Sequence, residues 1–254
     1  VKDLSVEELS AELARAGFER YRLEQIVGWL YHKNATSWNQ MTNLSKAHRA
    51  ELAEKFRLKV LEPVHAASSP DGTTKYLFEL EDGARIESVL IPDGRRRTLC
   101  VSSQVGCALG CKFCRTALMG FKRNLRQYEI LEQVLAVRRH RPPSEWPTNI
   151  VFMGMGEPLM NYRNVLGACR LLMLDTGTNF GARHITISTA GIVPVLERFG
   201  ADGAPVNIAV SINAPRDDIR SRIMPVNDKY PLEKLLDVLR RFPLRKRRRI
   251  TVEY

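Results

Sequence analysis

Long apolar runs are missing from these 254 residues. Nothing approaches the ~20 apolar residues that a membrane-spanning helix needs, and no signal-peptide pattern is recognised. The expectation is a soluble, cytoplasmic protein with no membrane partner. Cysteine is sparse and odd in number, at five. A disulfide framework wants an even, spread set, so metal binding or catalysis is the better reading of these thiols. Histidine is equally sparse, and His32, His48, His65, His140 and His184 show no metal-ligand spacing. No internal repeat or low-complexity segment stands out, which argues against solenoids and disordered tails. Acidic residues fall short of basic ones, 28 against 39, leaving a formal charge of +11. The excess is clustered in Arg95-Arg96-Arg97, Arg240-Arg241 and Arg245-Lys246-Arg247-Arg248-Arg249. Such charge suits phosphate neutralisation on a nucleic acid; a merely solvated surface is the bland alternative.

What is present is enough to bury a substantial core, with 44% hydrophobic and 26% charged residues. Residues 5 to 56 read as helical. Ser5 with Glu8 is a capping-box pattern and Gly17 can end that helix. Tyr21 to Lys33 and Thr42 to Phe56 follow as further helical stretches. The texture then changes. "TTKYLFEL" and "ARIESVLI" are strand-like and separated by Glu81-Asp82-Gly83, a hairpin signal. "TLCVSS" is another strand. Beyond it, helical stretches at 127–140, 161–174, 191–200 and 232–242 alternate with strands at 148–153, 184–189, 206–212 and 250–254. That alternation predicts an α/β fold with a parallel sheet, open or curled into a partial barrel, whose ligand sites gather at the C-terminal strand ends. Three segments are expected: helical 1–60, a β-hairpin linker 61–96, and an α/β core 97–254.

Cys107, Cys111 and Cys114 form C-x3-C-x2-C, with Cys100 upstream and out of step. Three thiolates can hold a metal centre through soft sulfur ligation. A closed structural zinc site wants four ligands, commonly in two pairs. A four-iron, four-sulfur cluster on three cysteines leaves one iron open to a small molecule. Gly106 and Gly110 let the loop wrap closely, and Phe113 is placed to shield the centre from water. Zinc, or simply buried thiols, is the alternative.

Further along, Gly154-Met155-Gly156-Glu157-Pro158 follows a strand. It offers close backbone approach and a carboxylate; an ordinary βα turn is the plain reading. Ser188 ends one strand, and Ser211, Ile212 and Asn213 end another. Each alone reads as strand-end capping. Glu87 lies in "RIESVLI", where alternation favours the solvent face. Cys100 and Cys169 alone read as buried free cysteines.

The ordered set "IESVLIP", "TLCVSSQVGCALGCKFCRT", "GMGEPLMN", "ITISTAGIVP" and "MPVNDKYPLEKLL" resembles the RlmN-type adenine-C2 RNA methyltransferases and the related Cfr enzymes. These are radical S-adenosylmethionine (SAM) proteins. "MTNLSKAHRAELAEKF" is similar to the family's small helical domain, so the resemblance covers nearly the whole chain. It implies a radical SAM core at 97–254 behind an RNA-binding-like domain at 1–60. It implies a [4Fe-4S] cluster on Cys107, Cys111 and Cys114, and SAM contacts at Gly156, Glu157, Ser188, Ser211, Ile212 and Asn213. Glu157 serves the amino group of SAM in that scheme. Asn213 replaces the histidine of the usual Ser-Leu-His, which removes any role needing imidazole.

The resemblance also implies a route to an unreactive adenine C2. One SAM methylates a protein cysteine, and a second yields a 5′-deoxyadenosyl radical that activates the S-methyl group. The carbon then adds to C2, with Glu87 as the active-site base. Cys100 takes the proton and frees the product by forming a disulfide with a second cysteine. Implied partners are 23S rRNA and tRNA, with an electron donor such as flavodoxin; a monomer is expected. The family's methyl-carrying cysteine has no counterpart among the five, so the expectation is a chain truncated at its C-terminus and inactive by itself. Three alternatives stay open: Cfr-like methylation at C8, a zinc-stabilised RNA-binding protein without catalysis, and a radical SAM enzyme acting on a small molecule.

Overall fold

The computed structural model describes all residues from Val1 to Tyr254. The Ser5 hydroxyl accepts from the Glu8 amide, and the Glu8 carboxylate accepts from the Ser5 amide. This reciprocal cap satisfies orphan amides at the start of α1 (Val6–Arg15). Gly17, at φ +90°, lets the chain turn back where other residues would be strained. The helix expected over 21–33 is divided. α2 (Arg22–Val27) passes into one wide π turn at Gly28–His32. α3 (Lys46–Lys55) starts at Ser45, whose hydroxyl accepts from the His48 amide.

β1 (Pro63–Ser68), β2 (Thr74–Glu79) and β3 (Arg85–Asp93) form an antiparallel meander, and β3 pairs antiparallel with β4 (Arg96–Cys100). β5 (Gln104–Gly106) and β6 (Phe121–Asn124) make a small separate hairpin that brackets the cysteine loop. There follow α4 (Gln127–Arg139), β7 (Asn149–Phe152), α5 (Tyr162–Leu172), β8 (Ile185–Thr189), α6 (Val193–Ala201) and β9 (Asn207–Ser211). The chain continues through α7 (Asp217–Ile223), α8 (Val226–Lys229), α9 (Leu232–Arg241) and β10 (Ile250–Glu253). One eight-stranded sheet results, in the order β1-β2-β3-β4-β7-β8-β9-β10. From β4 onward every pairing is parallel. The expected α/β alternation and partial-barrel class are therefore present. The hairpin, however, does not stand apart as a linker, because its strands extend the same sheet. β1, the β5–β6 hairpin, α7 and α8 are additions to the elements read from the sequence.

Register decides which residues share a face, since partners across strands point the same way. Leu90, Leu99, Ile150 and Ile185 lie in one row, with Ile187 and Ile208 in the next. All are buried, and each such side chain contributes about 1.5–3 kcal/mol. Ser88, in step with Leu90, donates to Gln133 on α4, so this is the helix-covered face. The opposite face carries Glu87, Val89, Cys100, Val151, Thr186, Ser188, Ser211 and Glu253.

The N-terminal segment is fastened to α4. Lys2 pairs with Glu132, both side chains wholly buried. Asp3 accepts from the Tyr128 amide at 3.0 Å, and Gln127 donates to the carbonyls of Lys2 and Leu4. Asn34 donates to the Leu135 carbonyl at 2.7 Å. Leu9, Ile26, Leu30 and Leu52 join the same apolar core as the strands.

Candidate active site

Cys107, Cys111 and Cys114 lie on the loop between β5 and β6, beyond the C-terminal end of β4. The loop is tied down at both sides. The Cys107 amide donates to the Gly120 carbonyl at 3.1 Å, and the Lys112 amide donates to the Ile223 carbonyl at 2.8 Å. Gly106, at φ +77°, permits the first closure; a Cβ there would come within 1.7 Å of the Gly120 oxygen. The second tie carries the loop across to the end of α7. All three thiols are free and partly exposed. Phe113 does not shield them, being 62% exposed, because the Cys111–Cys114 turn points it outward.

Burial pushes the Cys107 and Cys111 thiols up, Cys111 to about 11, and the neighbouring thiols and Glu157 add repulsion. Bare thiolates are thus disfavoured here without a compensating cation. Three soft donors on one wrapped loop fit a cluster that takes three cysteine ligands.

The Gly154–Glu157 turn lies against residues 101–104. A Cβ on Gly154 would meet the Val101 carbonyl oxygen at 2.7 Å, and one on Gly156 would meet Gln104 at 2.5 Å. These glycines therefore allow close approach of the chain to itself. The Glu157 carboxylate is enclosed as well. Its Oε1 accepts from the Leu159 amide at 3.0 Å, and its Oε2 from the Ala190 amide at 2.8 Å. Burial pushes it above the usual carboxylate range. The side chain expected to meet an ammonium group also accepts from two main-chain amides, which ties β7's exit to β8's.

Ser188 and Ser211 end β8 and β9 on the uncovered face. Their hydroxyls converge on Glu253 Oε2, at 2.8 and 2.5 Å. The Glu253 carbonyl accepts from the amides of Ile212, at 2.9 Å, and Asn213, at 3.2 Å. Asn213 sits at φ +56°. Asn is among the few residues that tolerate this region. Beneath them, Arg220 is fully buried. It donates to the carbonyls of Ile212, Ala190 and Ser211 and to Asn227 Oδ1.

Cys100 ends β4 on the same face, level with Val89 and Val151. Burial pushes its thiol up to about 11. Glu87 shares that face near the mouth, since Ser102 donates to its carbonyl at 2.6 Å. Its carboxylate is half-exposed and meets Lys75 Nζ at 3.0 Å. Cys169 is buried in α5, with its thiol pushed up to about 12. No disulfide joins any pair. The arginines of 245–249 precede β10, at the opposite end of the strands from the cysteine loop. Arg245 donates to the Gly203 carbonyl and Arg248 to the Pro205 carbonyl.

Sequence reasoning missed Glu253, Arg220 and Gln104. The strand-end rule, applied to "ITVEY", singles out Glu253. Nothing local marks Arg220, whose partners come from the exit of β8, the end of β9 and α8.

Comparison with known proteins adds to this geometry. The radical SAM superfamily model matches residues 101–252, and the model of the ribosomal RNA large subunit methyltransferase N-terminal domain matches residues 1–58. A dual-specificity RNA methyltransferase RlmN of Geobacter sulfurreducens is 53% identical over 254 residues, spanning 100% of this chain and 69% of that protein. The RlmN of Geotalea uraniireducens is 50% identical, with 73% of its length covered. The crystal structure of a radical SAM methyltransferase from Sphaerobacter thermophilus superposes with a TM-score of 0.93 at 45% identity, covering 100% of this chain and 75% of that one.

Proposed function

The chain belongs to the RlmN family of radical SAM RNA methyltransferases, and from that premise we propose that it methylates C2 of an adenine in 23S rRNA and in the tRNA anticodon loop. Its cofactors are a [4Fe-4S] cluster and S-adenosyl-L-methionine. The observation that carries the reading is the wrapped loop of Cys107, Cys111 and Cys114. It is held at the strand ends, on the side where Ser188, Ser211 and Asn213 emerge.

In this reading the three thiols hold the cluster, leaving one iron for SAM. Gly156 and Glu157 serve the amino group of SAM, with Ser188, Ser211, Ile212 and Asn213 along the rest of the cofactor. When bound, these groups supply one-electron chemistry that no side chain can. The chain's own residues position and protect. Glu87 offers a carboxylate base at the mouth, within reach of solvent and Lys75. Cys100 takes the proton from the substrate carbon and helps free the product by forming a disulfide with a second cysteine; in the free chain burial keeps it a neutral thiol. The helical residues 1–60 are assigned to RNA contact, 61–96 to the sheet extension and 97–254 to the radical SAM core. A flavodoxin-like electron donor, a monomeric state and a cytoplasmic site complete the proposal. No helix is long and apolar enough to cross a membrane.

Anaerobic reconstitution tests it. The expected result is iron and sulfide in equal amounts and reductive cleavage of SAM to 5′-deoxyadenosine. Zinc without iron would overturn the reading. Chromatographic comparison of the digested nucleosides with 2-methyladenosine and 8-methyladenosine standards, which share one mass, separates C2 from C8.

A further inference from the structure

The last strand brings a carboxylate to the site that nothing above assigns. Glu253 pairs in register with Ser211 on β9, and Ser188 on β8 is level with Ala209. Only the Ala209 methyl and the Ser211 side chain stand between Glu253 and Ser188 on that face. The carboxylate therefore reaches across β9, and both serine hydroxyls meet the same oxygen, Oε2. Neither of these partners is a cation, and Oε1 is left unengaged. Glu157, by contrast, has both oxygens committed to main-chain amides. Glu253 is thus the carboxylate at these strand ends with one oxygen that no group of the chain engages.

We infer that Glu253 accepts hydrogen bonds from the two ribose hydroxyls of the SAM adenosine. The inference rests on the cofactor reading given under the proposed function. A vicinal diol presents two adjacent O–H donors, and a carboxylate presents two adjacent acceptors. Carboxylates that read ribose hydroxyls at strand ends are a general solution in α/β folds. Ser188 and Ser211 fix the carboxylate's orientation, and because hydroxyls also accept, each can take a second bond from the same diol. The main chain of Glu253 holds Ile212 and Asn213 in place. One residue thereby fixes the backbone of the β9 end and supplies its polar contact.

Calorimetric binding to the anaerobically reconstituted chain tests this, with S-adenosylhomocysteine, 5′-methylthioadenosine and 2′,3′-dideoxy-5′-methylthioadenosine as probes. Glu253→Gln keeps the shape and removes the charge. It is expected to weaken the first two ligands by the same factor, about tenfold or more, as for a lost bond to a charged acceptor. The dideoxy ligand should bind wild type and variant alike, which also shows that the variant is folded. Equal binding of all three ligands by wild type and variant overturns the inference. So does weakening confined to S-adenosylhomocysteine, which would place the carboxylate at the ammonium group. A wild type that binds none of the three overturns the cofactor reading, and this inference with it.

Discussion

Arg220 Nη2 donates to the Ala190 carbonyl at 2.8 Å, joining the exit of β8 to α7 beneath the candidate cofactor site. The same side chain serves Ile212, Ser211 and Asn227, and no carboxylate oxygen is among its acceptors. Burial pulls the guanidinium below its ordinary range. It remains charged, because arginine starts so high. Removing it strands several buried acceptors, each costing about 1–3 kcal/mol. Arg220→Met is therefore expected to lower stability by at least ~3 kcal/mol, a fall in Tm of roughly 10 °C for a chain of this size. Arg220→Lys should fall between the two. A melting curve for Arg220→Met within ~2 °C of wild type would show that these carbonyls find other donors.

The buried pair of Lys2 and Glu132 makes an asymmetric prediction. Burial pulls the Lys2 ammonium below its ordinary pKa, against the attraction of Glu132. Glu132 has two further partners, Arg139 and the Leu61 amide, whereas Lys2 donates only to Glu132. Glu132→Gln therefore strands a buried ammonium and costs about 3–5 kcal/mol. Lys2→Met leaves Glu132 paired and should cost less than half of that. The sign with pH follows. In Glu132→Gln, the unfolded state binds the Lys2 proton more tightly than the folded state, so stability rises as pH increases toward the unfolded value near 10.5. Denaturant titrations of both variants from pH 7 to 10 check the order and the slope.

The strands of the sheet and the capping box of α1 are legible in sequence because they follow local rules: alternation, β-branched runs, and Ser5 three residues before Glu8. The cysteine loop is legible for its spacing. Other features depend on distant partners and leave no local mark. Glu157 reads as an exposed ligand group in a glycine turn. It is buried because residues 101–104 lie on that turn and Ala190 supplies an amide. Phe113 reads as a shield, but the turn that joins Cys111 to Cys114 directs it outward. Arg220 lies outside the helices read from the sequence, and its acceptors become neighbours only when β8, β9 and α8 are assembled. The hairpin at 73–91 is visible as a hairpin, but its edge pairing with β4 is not.

Gly106 closes the cysteine loop, and its substitution should separate folding from cluster binding. An alanine there combines φ +77° with a Cβ 1.7 Å from the Gly120 oxygen. A left-handed non-glycine residue alone costs roughly 1–2 kcal/mol, and the clash forces β5 and β6 apart. Both strands lie outside the main sheet. Gly106→Ala is thus expected to keep the far-ultraviolet circular dichroism of wild type. Its iron content after reconstitution should fall several-fold. Full iron incorporation would show that the loop does not need this closure.

Cys100 offers a pH prediction that does not involve the cluster ligands. Its thiol is pushed up from about 9 to about 11, chiefly by burial, with the Met153 amide opposing. A raised thiol pKa means that the folded state favours the neutral form. The stability this gives is complete below the unfolded value near 9 and is lost as pH climbs through about 11. Because alkylation proceeds through the thiolate, brief iodoacetamide pulses should label Cys100 half-maximally near pH 11. Peptide mass mapping reads the site directly. A midpoint below 9 would mean that Cys100 is held as a thiolate by a partner other than the Met153 amide.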